Sequence, residues 1–325
     1  MEKDTFIRRL TRSKMFPLLI VLVAVIVMFT SIKSTYITSI DNLRGIFNAM
    51  SLTGTIAVGV GCLLISGGMD LSVGAVGCFA GVIAALMIRS GMPWGIAMLI
   101  SVVTGAAVGA FNAFLINGLN FMGFIATIGV SSMLQGLANV ITGGQNISVS
   151  NESFFRLGST TLIRLFSLPF IIAFALMVIY GLILSRTRFG RIMYMCGGNR
   201  MAAQMVGLKP KKIRTILHIN CSALAALGGV VLAARMRSGS PAAVIGQEFD
   251  AITAAVLGGI SFMGGGGSMG GCLVGLALLT CFTNGLTFVG LKSYWTVVAQ
   301  GAVLIVALVV DYLNQRSLNR RLKEV

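Results

Sequence analysis

Few residues in this chain can do chemistry. His218 is the sole histidine, and the six cysteines (Cys62, Cys78, Cys196, Cys221, Cys272 and Cys281) form no C-x-x-C pair. No metal site is expected from such a set, and the cysteines read as small packing residues within apolar runs. The sequence contains no G-x-x-x-x-G-K-[ST] phosphate loop and no H-E-x-x-H. An enzyme is therefore not expected, and neither is an ATPase site of its own.

What remains is a set of isolated polar groups in an oily chain. In "ISGGMDLSVG", residues 65–74, an aspartate follows two glycines between long apolar stretches. Gly67 and Gly68 allow backbone conformations that other residues resist, and Asp70 can cap the next helix by accepting its free amide protons. Asp70 has two readings, a plain cap or a charge-dependent gate. Gly264, Gly265, Gly266 and Gly267 form a second break, and both breaks are candidate hinges. Asn112, Asn117, Gln135, Asn139, Asn220, Asn284 and Gln300 place amides within or near apolar runs. Asn112, Gln135, Asn139, Asn220 and Asn284 are the candidate lining of a solute path. The alternative is that they hydrogen-bond helix to helix.

The elements that must position these groups follow from composition. Of 325 residues, 56% are hydrophobic and 10% charged, with a net charge of +16, and the mean hydropathy is +0.92. Soluble domains carry roughly 25% charged residues, so this chain belongs in a membrane. Its basic residues flank apolar spans and form no groove, which argues for anionic lipid as their neighbour and against nucleic acid. Ten apolar segments are expected to span: 16–31, 46–66, 71–88, 94–116, 121–141, 168–184, 213–234, 251–262, 269–289 and 294–311. The eighth is short, and it either continues into the glycines after it or is a half-helix. The fold expected is thus an all-α polytopic bundle of about ten transmembrane helices, forming one transmembrane domain over residues 1–325.

Most of the 25 Lys and Arg residues fall in the N-terminal tail (1–15), the 185–214 loop and the C-terminal tail (312–325). The positive-inside rule then puts both termini in the cytoplasm. The N-terminal apolar run lacks a convincing cleavage site and reads as a retained span. Three G-x-x-x-G pairs, Gly77/Gly81, Gly105/Gly109 and Gly271/Gly275, allow close helix approach, either within one chain or between subunits. Within the 185–214 loop a short helix is expected over 201–207. Asn199 is its N-cap, Gly207 its C-cap, and Pro210 follows. That helix either fits a partner's groove or rests on lipid headgroups.

Three segments carry a resemblance: "ISGGMDLSVG", "RTRFGRIMYMCGGNRMAAQMVG" and "EFDAITAAVLGGISFMGGGGSMGG". In order and approximate spacing they resemble the signature regions of ribose/galactose/xylose-type ABC importer permeases, over about residues 46–311. The resemblance implies a type II ABC importer-like bundle in the bacterial inner membrane. It also implies a second permease subunit (a homodimer or a heterodimer), a cytoplasmic ABC ATPase carrying ATP and Mg, and a periplasmic or lipid-anchored sugar-binding protein. By the same resemblance Gly190, Gly197, Gly198, Asn199, Ala202, Ala203 and Gly207 form the segment that couples to the ATPase. The family often has Pro-Glu where this chain has Arg200 and Met201, which puts an inherited salt bridge in doubt. Arg156, Arg164, Arg235, Arg237 and Glu248 are candidates for docking the binding protein. The cargo implied is a monosaccharide, or else an autoinducer sugar or a nucleoside. The competing class is a secondary carrier, disfavoured by the scarcity of charge inside the spans.

Overall fold

The structure, a computed structural model, describes residues 15–323, with side chains over 16–313. The basic N-terminal tail, and Arg316, Arg320, Arg321 and Lys323 of the C-terminal tail, lie outside the described side chains.

The chain folds as an all-helical bundle: α1 (Met15–Ile32), α2 (Thr35–Thr38), α3 (Ile40–Ile65), α4 (Val73–Arg89), α5 (Trp94–Ala113), α6 (Gly123–Thr142), α7 (Glu152–Ser159), α8 (Leu168–Arg186), α9 (Arg188–Gly198), α10 (Arg200–Met205), α11 (Pro210–Met236), α12 (Gln247–Leu257), α13 (Met269–Phe288) and α14 (Ser293–Lys323). A single π-helical turn, Phe114–Gly118, extends α5. Two small antiparallel ribbons decorate the end where α11 finishes. Ile147–Ser148 (β1) pairs with Ser238–Gly239 (β4), and Thr161–Ile163 (β2) pairs with Phe166–Ser167 (β3).

Every expected apolar segment contains a helix. By length and composition, seven helices among the described residues can cross a membrane, while Phe16–Ile32 and Val73–Arg89 are shorter apolar helices. The eighth segment is the half-helix of the two alternatives. At 11 residues, α12 rises about 16 Å, roughly half of a 30 Å hydrocarbon core. The rest of that passage is irregular backbone, tolerable at membrane depth only where protein encloses it. The enclosure is visible in the pairing. The Gly265 amide donates to the Ile65 carbonyl at 2.8 Å, and the Phe262 amide donates to Asp311 Oδ2 at 3.1 Å. The last helix, expected to end near 311, continues unbroken to Lys323.

The core forms around α3 and α11, which are buried over most of their length, whereas α14 is almost wholly exposed. Exposed large apolar side chains, such as Leu99, Val103, Ile125, Val140 and Ile305, cover the outside of α5, α6 and α14. A soluble protein does not leave so much contiguous apolar surface bare, and lipid is the solvent that accounts for it. The G-x-x-x-G pairs all pack within the chain. Gly77, Gly81, Gly105 and Gly109 meet α11 backbone or its small residues, and Gly271 and Gly275 meet the end of α12. All six cysteines are buried and free.

Candidate functional site

One end of the bundle gathers three of the sequence segments. The expected helix over 201–207 is α10, Arg200–Met205, and the Asn199 side chain caps it, accepting the Ala202 amide at 3.0 Å. Gly207 follows at φ +80°, and Pro210 opens α11. The preceding part of the loop is also helical, as α9. Its Thr187 N-cap accepts the Gly190 amide at 3.1 Å.

At the root of this segment the two glycine breaks meet it. The Gly197 backbone lies against the Ile65 carbonyl and 2.7 Å, as measured from an added Cβ, from the Gly265 amide nitrogen. Gly264 (φ +94°) packs on Gly67 (φ +71°) and on the Gly197 carbonyl, and Gly265 (φ +75°) packs on Gly198. Any Cβ at Gly264 or Gly265 would both strain the backbone and separate the three segments. Side chains pin the junction: Arg214 Nε donates to the Ser66 carbonyl at 3.1 Å, and the Tyr194 hydroxyl donates to the Gly267 carbonyl at 2.8 Å. Burial pushes the Tyr194 hydroxyl and the Cys196 thiol above their ordinary pKa values.

The coupling residues divide into two sets. Gly190 is wedged against the Ile183 and Leu184 backbone, Gly197 is locked in the junction, and Ala203 is buried. Ala203 therefore cannot form part of a docking surface, contrary to expectation; it fastens α10 to the bundle. Gly198, Asn199, Ala202 and Gly207 are exposed. Beside them project Met201 (68% exposed), Met205 (84%) and Val206 (66%). These three were missed, although apolar residues on an otherwise polar loop are a signal that sequence reading could have used.

Asp70 is a second correction. It is 1% exposed and so does not sit at a solvated edge, and the N-cap position of α4 belongs to Ser72. Asp70 Oδ1 accepts the Ser72 amide (2.8 Å) and hydroxyl (2.6 Å). Its Oδ2 accepts from Asn112 Nδ2 (3.2 Å) and Ser222 Oγ (3.4 Å), and lies 3.6 Å from His218 Nδ1. His218 is equally buried, at 1% exposed. Thr127 of α6 accepts the Leu71 amide at 3.1 Å. One loop is thereby tied to α5, α6 and α11. Buried polar groups demand partners, and this loop supplies them for three helices at once.

The expected path residues occupy separate interfaces. Asn112 is consumed by the Asp70 cluster. Asn220 Nδ2 bonds the Tyr180 hydroxyl between α11 and α8, and Asn284 sits half-buried on α13. Gln135 and Asn139 lie on α6, where Asn139 donates to the Gln135 carbonyl at 2.9 Å. They share the unpacked side of α6 with Gly129 and Gly136, which have open space before them.

At the opposite end, Arg156, Arg164, Arg235 and Arg237 are exposed. Arg237 stacks on the Phe155 ring at 3.7 Å and pairs with Glu152 at 3.3 Å. Glu248 does not join them. It is 8% exposed, its carboxylate accepts the Gly246 amide at 3.1 Å, and it fills the space that Gly74 leaves without a side chain. An inward carboxylate cannot dock a partner. Gly246 (φ +91°) occupies the N-cap of α12, and Asp250 lies inside its first turn.

Comparison with known proteins places this geometry. Residues 42–308 match the family model described as branched-chain amino acid transport system / permease component. The ribose import permease protein RbsC of Escherichia coli strain K12 is 32% identical over 307 residues, covering 91% of this chain and 93% of that protein. The L-arabinose transport system permease protein AraH of the same strain is 32% identical over 276 residues, covering 85% and 84%. RbsC of Bacillus subtilis strain 168 is 32% identical over 272 residues, covering 83% and 84%.

Proposed function

The chain belongs to the branched-chain amino acid transport system / permease component family, and on that premise we propose that it is the membrane permease of an ATP-driven sugar importer. Its relatives carry ribose and arabinose in their names, which supports a monosaccharide cargo. The coupling partner is a cytoplasmic ABC ATPase that binds ATP and Mg, and the cargo arrives on a sugar-binding protein outside.

The observation that carries the coupling reading is the glycine junction. The projecting α10 is rooted at Gly197 and Gly198, and those residues touch both helix breaks. A displacement of α10 therefore has to displace the ends of α3 and α12, because close-packed backbone cannot deform independently. Met201, Met205 and Val206 supply the apolar surface for the ATPase groove. This orientation puts α10 and both termini in the cytoplasm, with the exposed arginines facing the binding protein. The bare small and polar side of α6 faces a second permease subunit, and there Gln135 and Asn139 line the shared path.

Reconstitution with the cognate ATPase and binding protein tests this. ATP-dependent sugar uptake is expected, together with crosslinking of Met205→Cys to the ATPase. Uptake without the ATPase would refute it. The buried Asp70–His218 pair is the one feature that favours a proton-coupled carrier. Immediate collapse of uptake by a protonophore in ATP-replete vesicles would establish that reading instead.

A further inference from the structure

A polar cavity of about 200 Å³ lies at the end of the bundle away from the glycine junction. It is walled by the first half of α3, the end of α11, the start of α12, the second half of α13 and the start of α14. Asn48, Thr53, Gln247, Asp250, Thr283 and Gln300 line it. Of these only Gln300 was singled out in the sequence, and not as part of a cavity. The polar groups are already connected. Thr53 Oγ1 donates to Gln247 Oε1 at 2.6 Å, and the Gln247 and Gln300 side-chain amides both donate to Asp250 Oδ2 at 3.3 Å. Ala49, Leu52, Leu232, Leu279, Thr280 and Arg235 complete the wall, and Arg235 Nη1 donates to the Asn48 carbonyl at 3.4 Å.

The chemistry of this lining is selective. Among the described residues, neither Asp250 nor Arg235 makes an ion pair. The cavity thus offers one strong acceptor, one strong donor and several amide and hydroxyl groups of both polarities. Vicinal hydroxyls, each a donor and an acceptor, satisfy such a set. A fully ionised or a wholly apolar solute does not. The 3.3 Å amide contacts are long for a charge-assisted bond, so a hydroxyl can replace them at small cost. No aromatic ring lines the cavity, so there is no stacking face to make the grip tight. Weak, exchangeable hydrogen bonds suit passage better than storage.

We infer that this cavity is a transit site for a neutral polyhydroxy solute, held by Asp250, Gln247, Gln300 and Thr283 as it enters the permease. The inference rests on the sugar-permease reading and adds an entry site ahead of the path that Gln135 and Asn139 line. The position agrees with delivery from outside, since the cavity sits beside the exposed arginines and opposite the coupling segment.

The test uses the full importer in proteoliposomes, with radiolabelled ribose, arabinose, xylose and galactose as probes. Asp250→Asn and Gln300→Ala are expected to lower sugar imported per ATP hydrolysed by about tenfold, the effect of weakening one hydrogen bond to a charged group. Wild-type ratios in both variants overturn the cavity. Failure of the unaltered importer to take up any of the four sugars refutes the sugar-permease reading itself. Where a variant does not fold, Thr283→Cys decides. The native cysteines are buried, so a membrane-impermeant thiosulfonate reports the introduced thiol. The sugar that the importer transports, at about 100 mM, enough to fill a site of millimolar Kd, should slow its labelling severalfold. Unchanged labelling overturns the inference.

Discussion

An alanine at Gly197 should part the coupling segment from both helix breaks, while an alanine at the adjacent Gly198 should be tolerated. At Gly197 the added Cβ would fall within the shell of the Ile65 carbonyl oxygen and 2.7 Å from the Gly265 nitrogen. Nonbonded atoms sit best at about 3.5–4.0 Å, so one segment must yield by about an ångström. The obstructed atoms are the donor and acceptor of the 2.8 Å Gly265–Ile65 hydrogen bond. Losing that bond costs about 1 kcal/mol net, and overpacking adds about 1–3 kcal/mol. The engaged junction is then disfavoured by about 2–4 kcal/mol, or roughly thirtyfold to several hundredfold in population. At Gly198 the nearest atom to an added Cβ is 3.8 Å away, an ordinary contact. Thermal unfolding in detergent and uptake per ATP, measured on both variants, check the reasoning. Equal midpoints and equal coupling for the two alanines would show that the junction does not transmit anything.

Asp70→Ala strips partners from Ser72, Asn112, Ser222 and His218 together, and breaking a buried pair in this way should cost about 3–5 kcal/mol of stability. Asp70→Asn keeps the acceptor for the Ser72 amide and should lose less; a folded Asp70→Asn chain with wild-type uptake would end the gate reading. Cys196 is buried at the junction and its thiol is pushed up by burial. It should therefore resist maleimide at neutral pH and label faster only as pH rises, with Met205→Cys as the reactive control; fast neutral labelling of Cys196 would contradict the packing. Charge reversal at Arg156 and Arg164 should raise the binding-protein concentration needed for half-maximal uptake, with an effect that shrinks as salt rises. Their exposure predicts stability within about 0.5 kcal/mol of wild type, and an unaltered saturation curve would remove them from the docking surface.

What the sequence disclosed, it disclosed through local physics. Long apolar runs give helices at every expected position, and the glycine breaks are turns, with positive φ at Gly67, Gly264 and Gly265. Asn199 caps because its side chain reaches an amide three residues on. The errors fall where a distant partner decides. Asp70 looked like a surface cap because nothing local shows that Asn112 and His218 will enclose it. Glu248 looked like an exposed charge because the room for its carboxylate comes from Gly74, far away in the chain. Ala203 looked like a docking residue because the face α10 turns to the bundle is set by the glycine contacts at its root. The cavity is assembled from the ends of five helices, and no single stretch of sequence carries its outline.

The half-length of α12 has a mechanical consequence. Its first turn carries Gln247 and Asp250 into the cavity, and its last residue stands a few positions before Gly264 and Gly265. Helical hydrogen bonds make it stiff, and its close packing on Gly271 and Gly275 ties it to α13. A push at the glycine end of such a short rod reaches the cavity end with little loss.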